Sequence, residues 1–104
     1  MTDDAALPSR SLRALPAEAV AELHAAFAGE VAVRLPRLLA DPLGADALRD
    51  AHTLGSSAVV VGRPDASRAA RRLEAELGCP SPDPDHVRRL VRELADELSG
   101  TPAP

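Results

Sequence analysis

Residues 46 to 62, DALRDAHTLGSSAVVVG, decide the fold. At roughly 100° per residue, Ala47, Ala51, Leu54, Ala58 and Val61 fall on one narrow stripe, and the run reads as an amphipathic helix. The three valines at its end suit a strand individually, but the helical pattern runs through them and three residues make a poor sheet. Gly62 then offers the left-handed conformation that commonly closes a helix. By the same count His52 lies about 140° from the centre of the apolar stripe. An imidazole placed there points away from the chain's own core and is open to another protein.

Working outward, the same 3.6-residue period continues on both sides. Upstream, Val20, Leu23, Phe27, Val31, Leu35 and Leu38 make one long amphipathic helix, or two in series, ending at Asp41-Pro42. Pro16 suits its first turn. Gly29 weakens it, and Pro36 is expected to kink or break its last turn. Downstream, Pro64 opens a helix whose Ala66, Ala69, Ala70, Leu73 and Leu77 face inward, with Gly78 as its stop. After the loop Cys79-Pro80-Ser81-Pro82, Asp83 is a good N-cap with Pro84 at the first helical position. Val87, Leu90, Val91, Leu94 and Leu98 form the last stripe. Four helices with short connections predict an all-α, antiparallel four-helix bundle with a short N-terminal extension. Residues 10–100 are the expected domain, with flexible tails at 1–9 and 101–104.

Composition narrows the functional classes. The chain has 104 residues, a formal net charge of -4, one Cys, one Phe and neither Trp nor Tyr. Its cations are all arginines interleaved with acids, so no basic stripe marks a nucleic-acid binder. No run of apolar residues is long enough for a membrane span, and the acidic start Met1-Thr2-Asp3-Asp4 has no leader-like order. A cytoplasmic monomer without membrane or nucleic-acid partners is expected. His24 and His86 share no ligand-like spacing with another His or Cys and read as solvated surface. Cys79 has no evident base or resolving partner and reads as an ordinary thiol.

The surroundings of His52 are less ordinary. Its helical neighbours are Leu48, Arg49, Gly55 and Ser56, with Val59 two turns along. Small and apolar residues around an exposed imidazole suit a convex docking surface. Gly55 in a helix interior gives up about 1 kcal/mol relative to Ala, which reads as the cost of keeping the surface low beside His52. A lysine at this position is therefore expected to firm the helix. Small residues here would equally permit close packing against a neighbouring helix.

Ala51-His52-Thr53-Leu54, the small pair Ser56-Ser57, Gly62 ten positions after the histidine, and Leu73-Glu74 at 21 and 22 positions after it resemble the histidine-containing phosphotransfer (HPt) domain. The resemblance spans about residues 12 to 98, and only the histidine segment is specific. It implies that His52 is the phosphoryl acceptor, that Ser56 and Ser57 are the small residues beside it, and that Gly62 ends its helix. Family members commonly carry Lys then Gly at the third and fourth positions after the histidine, where this chain has Gly55 and Ser56. The implied role is a phosphorelay intermediate, a carrier and not an enzyme, exchanging its phosphoryl group with receiver domains of response regulators or a histidine kinase. The alternative is an unphosphorylated helical adaptor that only docks to such a domain. No cofactor is expected on this chain; the magnesium ion of the transfer chemistry would come with the receiver.

Overall fold

The computed structural model describes residues 15–100. Four helices follow one another: α1 (Ala17–Ala40), α2 (Ala47–Val60), α3 (Pro64–Leu77) and α4 (Pro84–Ser99). Each packs on the next, and α4 returns against α1, closing an antiparallel bundle. Among the described residues there is no strand, and Val59 and Val60 are helical. No helix is long and apolar enough to cross a membrane among these residues. The expected tails at 1–9 and 101–104, and the start of the expected domain at residue 10, lie outside the described residues.

The predicted stripes make the core. Leu38, Ala51, Leu54, Ala70, Leu73, Val87, Val91 and Leu94 belong to one buried cluster drawn from all four helices. A second, smaller cluster of Phe27, Ala58, Val61 and Ala66 fills the end where α2 turns into α3. Val31 and Leu98 pack against both. Of the 24 residues of α1 only Phe27 and Leu38 are buried, so this helix lies across the bundle as a partly wetted strut.

Helix ends follow the local chemistry closely. Gly62 has a φ of 74°; the Gly62 amide donates to the Val59 carbonyl and the Arg63 amide to that of Ala58. These two bonds form the reverse turn that satisfies the last carbonyls of α2. Arg63 then sends its Nη2 to the Glu97 and Gly100 carbonyls at 2.6 and 3.1 Å, placing a cation on the negative end of α4. Asp83 caps α4, its Oδ1 accepting from the Asp85 amide at 3.0 Å, with Pro84 behind it. The Asp83 amide in turn donates to Glu76 Oε2 at 3.0 Å, fixing the loop between α3 and α4.

Pro36 does not break α1, which continues to Ala40. Proline removes one helical hydrogen bond, but tertiary contacts on both sides hold the segment. Leu38 beyond it is fully buried. Arg34 and Arg37, which straddle it, both donate to Asp50 on α2. Arg37 reaches Oδ2 through Nε at 2.8 Å and Oδ1 through Nη2 at 2.7 Å, and Arg34 Nη1 reaches Oδ1 at 2.8 Å. Asp50 is 0% exposed. The Arg37 bonds, followed by those of Arg34, hold its carboxyl below the ordinary carboxylate range against the opposing effect of burial. This triad locks the first turn of α2 to α1, two residues before His52.

Candidate functional site

The helix that carries His52 is positioned by residues that have almost no side chain. Ala51, Gly55 and Ala58 on α2 meet Ala66, Ala69 and Ala70 on α3, all of them buried. Small residues at a helix contact let two axes approach at the short end of the usual range, and α2 and α3 form the most extensive contact in the bundle. A residue on the outer shoulder of α3 can then reach across to α2.

Glu74 does so. His52 Nδ1–H donates to Glu74 Oε2 at 2.8 Å. A carboxylate oxygen can only accept, so Nδ1 carries a proton, and in the neutral ring the lone pair is then at Nε2. The His52 side chain is 65% exposed and that of Glu74 35%. The imidazole is therefore oriented by the fold at one nitrogen and presented to solvent at the other. The two residues are 22 positions apart, and spacing alone does not reveal that they touch.

The expected neighbours of His52 fall into two groups. Leu48 and Val59 are 44% and 49% exposed, and Arg49 and Ser56 are also exposed. These four flank the imidazole on the outer face. Gly55 differs: it is buried against α3, although it still lines the depression beside the imidazole. A Cβ built there would lie 3.3 Å from the Ala70 Cβ and 3.8 Å from the Arg71 Cγ. The contact with Ala70 weighs against lysine as a firmer replacement, because that neighbour must yield to any side chain placed here. The glycine is present because α3 crosses there.

A depression of about 270 Å³ opens beside the imidazole, lined by His52, Gly55, Ser56, Arg71 and Glu74. It is smaller than the 300 Å³ or so at which drug-sized ligand pockets begin, and is scaled to a small polar group. Two of its walls, Arg71 and Glu74, come from α3 and are charged. From sequence, Arg71 reads with Arg68 and Arg72 as part of a charged helix face, and nothing there sets it apart from the other two.

The remaining candidates lie elsewhere. His24 is exposed on α1. His86 stands 3.9 Å from Glu76 Oε1 near the start of α4. Cys79 is exposed, with its Sγ 3.5 Å from the Ala75 carbonyl. Among the described residues no three His, Cys, Asp or Glu side chains stand together as a metal site.

Comparison with known proteins agrees with this architecture. Residues 12–101 match the family described as the Hpt domain. Comparisons with curated proteins and with solved structures give no significant match. Members of the family are helical bundles that carry phosphoryl groups on a histidine in two-component phosphorelays, and they interact there with receiver domains and kinases. With four helices in closed sequence, an oriented and exposed histidine on the second, and a family match over most of its length, the chain belongs to the Hpt domain family.

Proposed function

We propose that His52 is the phosphoryl acceptor and donor of this domain, working with a response-regulator receiver and, at another step of the relay, a histidine kinase. The observation that carries the reading is the 2.8 Å bond from Nδ1 to Glu74, which in the neutral ring leaves the lone pair on Nε2, on a side chain that is 65% exposed. In the acceptor step the Nε2 lone pair forms a bond to the phosphorus of a receiver's aspartyl phosphate. The oxygen–phosphorus bond breaks, and its electron pair returns to the aspartate carboxylate. The ring, still carrying its Nδ1 proton, becomes a phosphorylated imidazolium whose positive charge lies against Glu74. Donation to another receiver runs the same step in reverse.

Leu48, Arg49, Ser56 and Val59 form the docking rim. The apolar pair allows a partner to exclude water around the reacting atoms, and Ser56 keeps the approach low one turn from His52. The magnesium ion that neutralises the charge of the transferring group is assigned to the receiver. The chain itself supplies the nucleophile, its orientation and the docking surface, and acts as a carrier.

The test is incubation of the full chain with a phosphorylated receiver, followed by mapping of acid-labile label. Label is expected on His52 and absent in His52→Gln, whose melting temperature stays close to wild type because exposed substitutions mostly change stability by under about 0.5 kcal/mol. Label that persists in His52→Gln, or maps to His24 or His86, overturns the assignment. Tight receiver binding without any label favours the docking adaptor.

A further inference from the structure

A phosphoryl group on Nε2 would bring two negative charges to a ring whose other nitrogen already faces the carboxylate of Glu74. Like charges so close shorten the life of the phosphorylated state unless a cation stands nearby. The outer face of α2 has Arg49 one turn before His52, but no cation one turn after it, where Gly55 and Ser56 sit. The depression beside the imidazole does contain one, and it comes from the neighbouring helix: Arg71.

Two observations set Arg71 apart from the other arginines on and around α3. Arg63 is committed to the carbonyls at the end of α4. Arg68 pairs with Asp65, and Arg72 with Glu93. Arg71 makes no ion pair among the described residues, although Glu74 follows it by one turn on the same helix. Its side chain also runs beside Gly55, the Arg71 Cγ lying 3.8 Å from where a Cβ on that glycine would be, an ordinary packing distance, and both residues line the depression next to the imidazole.

From this arrangement we infer that Arg71 binds the phosphoryl group carried by His52, its guanidinium donating to the phosphoryl oxygens across the depression floored by Gly55. A guanidinium is suited to this because its planar fork of N–H donors matches phosphoryl oxygens and it stays charged at every working pH. Arg71 and Glu74 then divide the two ends of the ring between them, the cation at the phosphorylated nitrogen and the anion at the protonated one. The inference rests on His52 being the acceptor.

The experiment uses the full chain and potassium phosphoramidate, a donor that needs no partner protein. Its phosphorus–nitrogen bond breaks with the electron pair leaving on ammonia, and the phosphoryl group passes to Nε2. The readouts are the half-life of phospho-His52 after the donor is removed, its phosphorus NMR resonance, and the Arg71 Nε–H resonance before and after labelling. In wild type the Arg71 resonance is expected to move on phosphorylation. In Arg71→Gln the half-life should fall by about three- to tenfold, the scale of losing charge-assisted hydrogen bonds at a partly exposed site. Arg71→Lys should recover part of it, and the melting temperatures of all three should agree. Equal half-lives and equal phosphorus shifts in wild type and Arg71→Gln overturn the role of Arg71 alone. A wild type that takes label on another histidine, or takes none on His52, overturns the acceptor assignment and the inference with it.

Discussion

At the scale of single residues, the site depends on what Glu74 does to His52. An exposed imidazole without a partner distributes its proton between two nitrogens, and the bond to Glu74 selects one of them. Replacing Glu74 by Gln leaves an oxygen that can still accept from Nδ1 but removes the negative charge opposite the developing imidazolium. Phosphoryl uptake by Glu74→Gln is expected to slow by about three- to tenfold, because a charge-assisted hydrogen bond is roughly twice as strong as a neutral one. Glu74→Ala should slow it further and let the ring proton redistribute, which nitrogen NMR of the imidazole reads directly. Identical rates for wild type and both variants would show that Glu74 is a bystander. This contact was hidden in the sequence. Glu74 drew notice there only through its interval from His52, and nothing in that interval states that two helices cross closely enough for the side chains to meet.

At the scale of elements, the glycines of α1 and α2 make a controlled comparison. Gly29 on α1 is exposed, and a Cβ there meets nothing within 4 Å. Gly29→Ala should therefore return the full helix-propensity difference, about 1 kcal/mol of stability. Gly55→Ala gains the same propensity but must push the Ala70 Cβ from a 3.3 Å contact, so its net gain is expected to vanish or reverse. Chemical denaturation of both variants decides the matter, and equal stabilisation by both would mean that the crossing has slack. The stripes that make these helices were legible before any coordinates, since a 3.6-residue period names the inward side chains without reference to what they meet. Gly62, Asp83 and Pro84 marked helix ends for equally local reasons. The contact of Gly55 with α3 was not decided by sequence, because smallness serves a docking surface and a helix crossing alike. That α1 continues past Pro36 was not legible locally, because Leu38 and the two arginines that hold the segment act through contacts with other helices.

For the whole molecule, the buried carboxylate of Asp50 ties acid stability to the packing of α1 on α2. A charged residue in an amphipathic helix reads as solvated, and its burial depends on arginines 13 and 16 positions upstream, on a different element. Arg37 and then Arg34 depress the folded-state pKa below the value of about 3.9 for an unfolded Asp. The unfolded chain therefore binds the proton first as the solution is acidified. The contribution is fully present above about pH 4, and it is lost as pH falls through the folded-state value. Asp50→Asn should lower the melting temperature at pH 7 and also flatten its decline below about pH 4 relative to wild type. Melting curves of the two proteins that stay parallel from neutral pH down to pH 2 would show that the triad does not report on folding. The cost of Asp50→Ala at neutral pH is expected near about 3 kcal/mol, the low end for removing one member of a buried ion pair, since both arginines can turn toward water.

The same triad, with the glycine turn at the opposite end, anchors α2 at both of its termini. A helix held this way carries the imidazole between two fixed ends, on the pair of elements with the most extensive contact in the bundle. Recognition then depends on collision geometry: a visiting protein must arrive in register with a fixed target, and little backbone adjustment is available to rescue a poor approach. On the proposed function, discrimination among competing receivers is expected to depend on the rim residues Leu48, Arg49, Ser56 and Val59, and substitution there is expected to change it while the framework that holds the histidine stays intact.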